Sequence, residues 1–118
     1  MGGEIVEKVW GRYEVLEDFE RARVKTLIIS PGATMSYQMH YHRQELWVIV
    51  SGTLIVTVND EDHTLTEGEW IDIPLGAYHS AHNPGWIDAE VVEVQIGSYI
   101  DENDIVRLVP SMPGKGKM

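Results

Sequence analysis

The sequence predicts a single all-β domain, an antiparallel sandwich or barrel. Three observations carry this reading. Short runs rich in β-branched residues recur at close spacing, each run is followed by turn-forming residues, and the apolar positions show no sustained helical period. The runs come in order. Val24 to Ile29 precedes Ser30-Pro31-Gly32, and Leu46 to Val50 precedes Ser51-Gly52. Leu54 to Val58 ends at Asn59-Asp60, Trp70 to Ile73 precedes Pro74-Leu75-Gly76, and Ala89 to Ile96 ends at Gly97. Ser51-Gly52 joins two runs closely enough to read as a tight hairpin. A short helical turn is expected only around Asp101 to Val106. Glycines 32, 52, 68 and 76 are expected in turns that need positive φ or close backbone approach. Residues 1–110 are expected to form the domain and residues 111–118, rich in Gly and Lys, a flexible tail.

Composition narrows the functional classes. The chain has 118 residues, with nine Lys and Arg against nineteen Asp and Glu, a formal charge of −10. Such a balance argues against nucleic acid and against an anionic membrane surface, both of which need a basic footprint. No apolar run approaches the roughly 20 residues of a spanning helix. Met1 to Lys8 has no signal-peptide pattern, so a cytoplasmic location is expected. Cysteine is absent, so any metal must be held by His, carboxylate or amide groups.

Four of the five histidines fall in two short segments. The first reads Gln38-Met39-His40-Tyr41-His42-Arg43-Gln44-Glu45. On a strand, residues two apart share a face, so Gln38, His40 and His42 are expected to point the same way. Three polar groups on one face mean either a wet face or a binding site, because unpaired buried polar groups are costly. After a turn at Arg43-Gln44, Glu45 can lie opposite His40 across a hairpin. The second segment, Pro74 to His79, brings another imidazole at the start of a later strand. Imidazole, carboxylate and amide together suit a divalent ion with open positions, and leave Zn, Mn, Fe, Co and Ni all open. The same two-apart pair of histidines also occurs on ordinary surfaces.

The spacing of Gly32, Gln38, His40, Glu45 and Gly52, and then of Gly68, Pro74, Gly76, His79 and Asn83, resembles the two signature motifs of the cupin superfamily, with Gln38 where His is usual. The stretches Trp10 to Leu16, Ser36 to Trp47, Asn83 to Gly85, Glu93 to Tyr99 and Asp104 to Arg107 resemble more closely the cupin domain of type II mannose-6-phosphate isomerases. In larger bacterial enzymes that domain follows a mannose-1-phosphate guanylyltransferase. The resemblance implies a double-stranded β-helix, a small jelly-roll-like barrel. It also implies one divalent metal ion held by Gln38, His40, Glu45 and His79. Lys8-Val9, Leu46 and the Lys/Gly ending depart from the family pattern; they leave the ligand set intact and bear on the sugar.

The implied activity is interconversion of mannose 6-phosphate and fructose 6-phosphate by proton transfer through an enediol. His42 is the leading candidate for the base, on strand parity with His40; a fifth ligand or a hydrogen-bond partner to a ligand are its other readings. Glu45 doubling as ligand and base is a further option. The substrate phosphate needs a local cation: Arg43 first, then Lys25 and Arg107. The alternative function is a non-catalytic, metal-containing cupin that binds a sugar or sugar nucleotide. An iron-dependent oxygenase is the third reading. Trp47 and Ile49 follow Glu45 at period two and should line the interior, leaving Val48 and Val50 on an apolar outer face suited to a homodimer. Trp10, Trp70 and Trp86 are read as core or interface. His63 is expected in a polar turn and His82 outside the site.

Overall fold

The computed structural model describes residues 3–114. They form eleven strands: β1 (Ile5–Lys8), β2 (Gly11–Asp18), β3 (Ala22–Ile29), β4 (Tyr37–Met39), β5 (Arg43–Ser51), β6 (Leu54–Val58), β7 (Glu61–Leu65), β8 (Trp70–Ile73), β9 (His79–His82), β10 (Ala89–Gly97) and β11 (Val106–Val109). Among the described residues there is no helix, and hence none long and apolar enough to cross a membrane. Every strand pairing is antiparallel. A six-stranded sheet runs β1-β2-β3-β10-β5-β8, and a five-stranded sheet runs β11-β4-β9-β6-β7.

Alternation places the core between the sheets. On β5, Arg43, Glu45, Trp47 and Ile49 are buried while the residues between them are not; β10 does the same with Ala89, Val91, Glu93 and Gln95. Ile29, Ile49, Leu54, Val56, Ala89 and Val91 are fully buried and meet across the interior. Burying side chains of this size contributes roughly 1.5–3 kcal/mol each. Val48 is half-buried and Val50 exposed on the other face. Trp10 belongs to the core, whereas Trp70 and Trp86 are exposed.

Three local expectations are corrected. Ser51-Gly52 is not a hairpin: β5 pairs with β10 and β8, β6 pairs with β7 and β9, and the two residues carry the chain from one sheet to the other. Gly52 has φ +82°, and a Cβ there would stand 2.9 Å from the Asp88 carbonyl oxygen, so glycine meets both the torsion and the close approach. Gly32, Gly68 and Gly76 also have positive φ. The tight hairpin lies one connection later, between β6 and β7. There Asn59 (φ 48°) and Asp60 (φ 67°) both take the left-handed conformation that a two-residue turn of this kind needs. His63 therefore sits on β7 and not in the turn. Second, Asp101 to Asp104 is a β-turn closed by Asp104 N–H donating to the Asp101 carbonyl at 3.0 Å, with no helical continuation. Third, the start of the expected tail is pinned. Thr34 and Met112 exchange backbone hydrogen bonds of 3.0 and 2.8 Å. Residues 115–118 of that tail lie outside the described residues.

Candidate metal centre

β4 and β9 lie side by side with Gln38 opposite His79, while β5 approaches from the facing sheet with Glu45 directed inward. The connection between β4 and β5, His40 to His42, is a change of sheet and not the expected hairpin turn at Arg43-Gln44. That change breaks the period of two. His40 stays buried, Tyr41 and His42 swing out, and Arg43 returns to the interior. The backbone reason is a carboxylate far along the chain. Asp104 accepts the N–H of Tyr41 at 3.0 Å and that of His42 at 2.9 Å, which turns the outer part of this bend inward by its amides and outward by its side chains. Gly97 lies beside it, where a Cβ would run into the His42 carbonyl.

Both site imidazoles are oriented through Nδ1. His40 Nδ1–H donates to the Asp104 carbonyl at 2.6 Å, and His79 Nδ1–H donates to the Ala77 carbonyl at 3.1 Å. A carbonyl only accepts, so each ring carries a proton on Nδ1, and in its neutral form, the one that binds a metal, it presents an Nε2 lone pair inward. Those lone pairs converge on one carboxylate. His40 Nε2 is 3.3 Å from Glu45 Oε2, and His79 Nε2 is 3.6 Å from Glu45 Oε1. The three donors lie within 4.8 Å of one another. Neighbouring ligands of an ion bound at about 2.1 Å stand roughly 3–3.5 Å apart, close to the 3.3 and 3.6 Å that separate Glu45 from the two rings. The chemistry of the set fits too. His79 Nε2 is buried and has no hydrogen-bond partner among the described residues, a cost that an ion would remove. Gln38 is buried beside it, its Oε1 accepting from the Ser36 hydroxyl at 3.2 Å. His40, Glu45 and His79 can thus hold a divalent ion, with Gln38 adjacent.

The surroundings keep this set in ligand form. Burial opposes the charge on Glu45, but the His79 ring, a hydrogen bond with Glu93, and the Arg43 guanidinium outweigh it and hold the carboxyl far below its usual range. Arg43 Nε donates to Glu45 Oε2 at 2.9 Å, and Trp47 Nε1 donates to Glu45 Oε1 at 3.0 Å. Burial and then the Glu45 charge push Glu93 well above the usual range, so the charge of this pair resides on Glu45. Burial lowers the proton affinity of His40; Glu45 opposes this and Arg43 reinforces it.

A cavity of about 150 Å³ opens in front of the set, lined by Gln38, His40 and Glu45 and also by Lys25, Arg43 and Arg107. Lys25, on β3, is buried with Nζ 2.6 Å from Glu102 Oε2. Arg43 braces Glu45, reaches the His40 Nε2 lone pair at 3.2 Å and donates to the Asp101 carbonyl at 3.3 Å. Arg107 is exposed at the rim, opposite Gln38 in register. His42 is the exception among the expected site residues. Its side chain is 54% exposed, its ring packs edge-on against Tyr99 at 5.6 Å, and it does not line the cavity. The shared-face expectation for His42 is corrected, because strand parity does not pass through a change of sheet. His82 is bonded to the Thr34 hydroxyl at 2.8 Å, and His63 stands beside Glu61.

Several residues that line or support the site escaped the sequence reading. Glu93 and Gln95 had a visible signal, two polar residues two apart on a run whose same-parity positions begin Ala89 and Val91. Asp104 had none: its partners are more than sixty positions away.

Comparison with known proteins agrees with this fold. The family described as "Mannose-6-phosphate isomerase C-terminal" matches residues 3–109. Mannose-1-phosphate guanylyltransferase ManC of Salmonella typhimurium is 48% identical over 102 residues, covering 86% of this chain and 21% of that protein. Alginate biosynthesis protein AlgA of Pseudomonas aeruginosa is 46% identical over 103 residues, 87% of this chain and 21% of that protein. The chain thus spans about a fifth of the length of these relatives. Among solved structures, the cupin domain of Schizosaccharomyces pombe Cnp3 superposes with a TM-score of 0.71 at 20% identity, over 73% of this chain and 60% of that one. A single-substitution variant of oxalate decarboxylase from B. subtilis superposes at 0.77 with 21% identity, over 90% of this chain and 30% of that one. These likenesses show the fold, a cupin. With the matched family spanning nearly all the described strands, the chain belongs to the mannose-6-phosphate isomerase C-terminal family.

Proposed function

We propose that the chain is a metal-dependent aldose–ketose isomerase that interconverts mannose 6-phosphate and fructose 6-phosphate. The observation that carries this reading is the convergence of two imidazoles, each anchored through Nδ1, on the Glu45 carboxylate at the floor of a cavity lined by cations. Gln38, His40, Glu45 and His79 would hold the ion, Zn or one of Mn, Fe, Co and Ni. When bound, it would supply Lewis-acid polarisation of the substrate oxygens.

The remaining work falls to the chain. The carbonyls of Asp104 and Ala77 orient the two rings with Nε2 toward Glu45. Arg43 and Trp47 fix both oxygens of Glu45. Lys25 and Arg107 draw the substrate phosphate into the cavity. With His42 outside, the proton exchanged between C1 and C2 goes to Glu45, the ionised carboxylate of the wall.

The test is incubation of the metal-loaded protein with mannose 6-phosphate, followed by NMR. Fructose 6-phosphate should form, stop forming after chelation, and return with one of the five metals. No conversion with any of them overturns the reading. One observation favours the non-catalytic alternative: among the described residues, the imidazole that lines the cavity, His40, is itself a ligand candidate, leaving no separate histidine as base. Saturable binding of the sugar phosphate without conversion would support it. We place self-association on the outer face near β8, where Val50 and Trp70 are 46% and 60% exposed; sedimentation as a monomer at micromolar concentration contradicts a homodimer.

A further inference from the structure

The chain's cations are distributed unevenly. Lys8, Lys25, Arg43 and Arg107 all line the cavity, four of nine lysines and arginines in a chain of net charge −10. Three of these are already placed: Arg43 against Glu45, Arg107 and Lys8 at the exposed rim. Lys25 is different. It is 3% exposed, its Nζ lies 4.1 Å above the Tyr13 ring, and its ion-pair partner is Glu102, 2.6 Å away. Glu102 does not come from the barrel wall. It sits in the β-turn Asp101 to Asp104, and its side chain is 45% exposed.

We propose that Lys25 Nζ marks an anion seat that the Glu102 carboxylate fills in this structure, and that a phosphate monoester binds by displacing Glu102. This rests on the sugar-phosphate reading and names the subsite for the phosphate.

A buried ammonium needs an acceptor or a ring face at every donor. Here an aromatic face and a single carboxylate serve it. That carboxylate presents the same anionic oxygens as a phosphate and carries less charge. Its exchange needs no loop opening. The turn is held at both ends, by Arg43 Nη1 on the Asp101 carbonyl and by the Tyr41 and His42 amides on Asp104. Glu102 can leave by rotating its half-exposed side chain into water. The seat belongs to the same cavity as Gln38, His40 and Glu45. A monoester anchored at Lys25 would extend its carbon chain into the cavity that these ligand candidates line, which the free ion cannot do.

The experiment titrates the full chain and its Glu102→Gln variant with mannose 6-phosphate, inorganic phosphate and mannose, by calorimetry. Removing the carboxylate charge should tighten mannose 6-phosphate about fivefold, the scale of a half-exposed ion pair, and leave mannose unchanged. Lys25→Gln should abolish the gain in the double variant. Unchanged or weaker binding of mannose 6-phosphate to Glu102→Gln overturns the proposal, as does equal tightening of mannose, which would mean a wider mouth and not a vacated charge. A gain confined to inorganic phosphate overturns the assignment to a monoester. The two readings fail separately: a fivefold gain without turnover removes the isomerase and keeps the seat, while turnover without any gain removes the seat and keeps the isomerase.

Discussion

The two ends of the barrel interior share three strands, β3, β5 and β10. Along β5 the inward residues run Arg43, Glu45, Trp47, Ile49; along β10, read in reverse, they run Gln95, Glu93, Val91, Ala89. β3 contributes Lys25, Leu27 and Ile29. The register layers them. Gln95 lies opposite Glu45, Glu93 lies between Trp47 and Lys25, and Val91 lies between Ile49 and Leu27. One end is therefore charged and hydrogen-bonded, the other wholly apolar, within a few residues on each strand. Trp47 marks the boundary: its Nε1 donates to both Glu45 and Glu93 at 3.0 Å, and its ring meets His79 edge-on at 6.1 Å. The lesson is a division of labour. Alternation builds both ends alike, the apolar end holds the sheets together, and the polar end, where buried charges are paired at a cost in desolvation, is retained for chemistry.

The sharpest way to break this comparison is stability. Ile49→Ala at the apolar end should lower the unfolding free energy by about 3 kcal/mol in urea denaturation. Gln95→Leu at the polar end should cost about 1 kcal/mol or less, because it removes a buried Gln95 Oε1 that has no hydrogen-bond partner among the described residues along with one hydrogen bond to Glu93. Equal losses would dissolve the distinction.

Next comes the ion. His79→Ala should reduce divalent-metal affinity by more than about a hundredfold, beyond the 10–100-fold that losing a ligand's hydrogen-bond partner costs, measured by competition with a chromogenic chelator. A loss under threefold would remove His79 from the set.

Asp104 tests how the polar end is supported. Burial raises its carboxyl, but the Tyr41 and His42 amides more than offset this and hold it below its usual value of 3.8. A folded pKa below the unfolded one means that the stabilisation is complete above about pH 4–5 and is lost as pH falls through the folded value. Asp104→Asn should therefore flatten the acid side of the stability profile below about pH 4 and lower metal affinity about tenfold by loosening the bend that carries His40. An acid limb identical to that of the parent would contradict this.

The smallest effect is expected at His42. His42→Ala should change turnover and metal affinity by less than about twofold, since the exposed ring touches Tyr99 and Asp104 and not the cavity. A loss of a hundredfold or more would restore the role that strand parity assigned to it.

That reversal shows where the sequence stops being legible. Short β-branched runs closed by turn residues predicted the all-β fold, and period-two alternation placed Trp47 and Ile49 inside, because the direction of a strand side chain depends only on its neighbours in the chain. The residue types of Gln38, His40, Glu45 and His79 offered possible ligands, and it was their likeness to a family motif that implied one set and one shape. Parity failed at His42 because His40 to His42 is a crossing between sheets, and the hairpin expectation failed at Ser51-Gly52 because that connection is a crossing too.

What the sequence by itself determined is which side chains alternate, which glycines bend the chain and which ligand types are on offer. Which strands face each other was decided only in three dimensions. So were the pinning of His40 and the β4–β5 bend by Asp104, and the reach of Glu102 from a surface turn to Lys25 on β3. The physical reason is range. Alternation is imposed by the pleat over two or three residues, whereas those contacts join groups some sixty to eighty positions apart, and they exist only once both sheets have closed around a common interior.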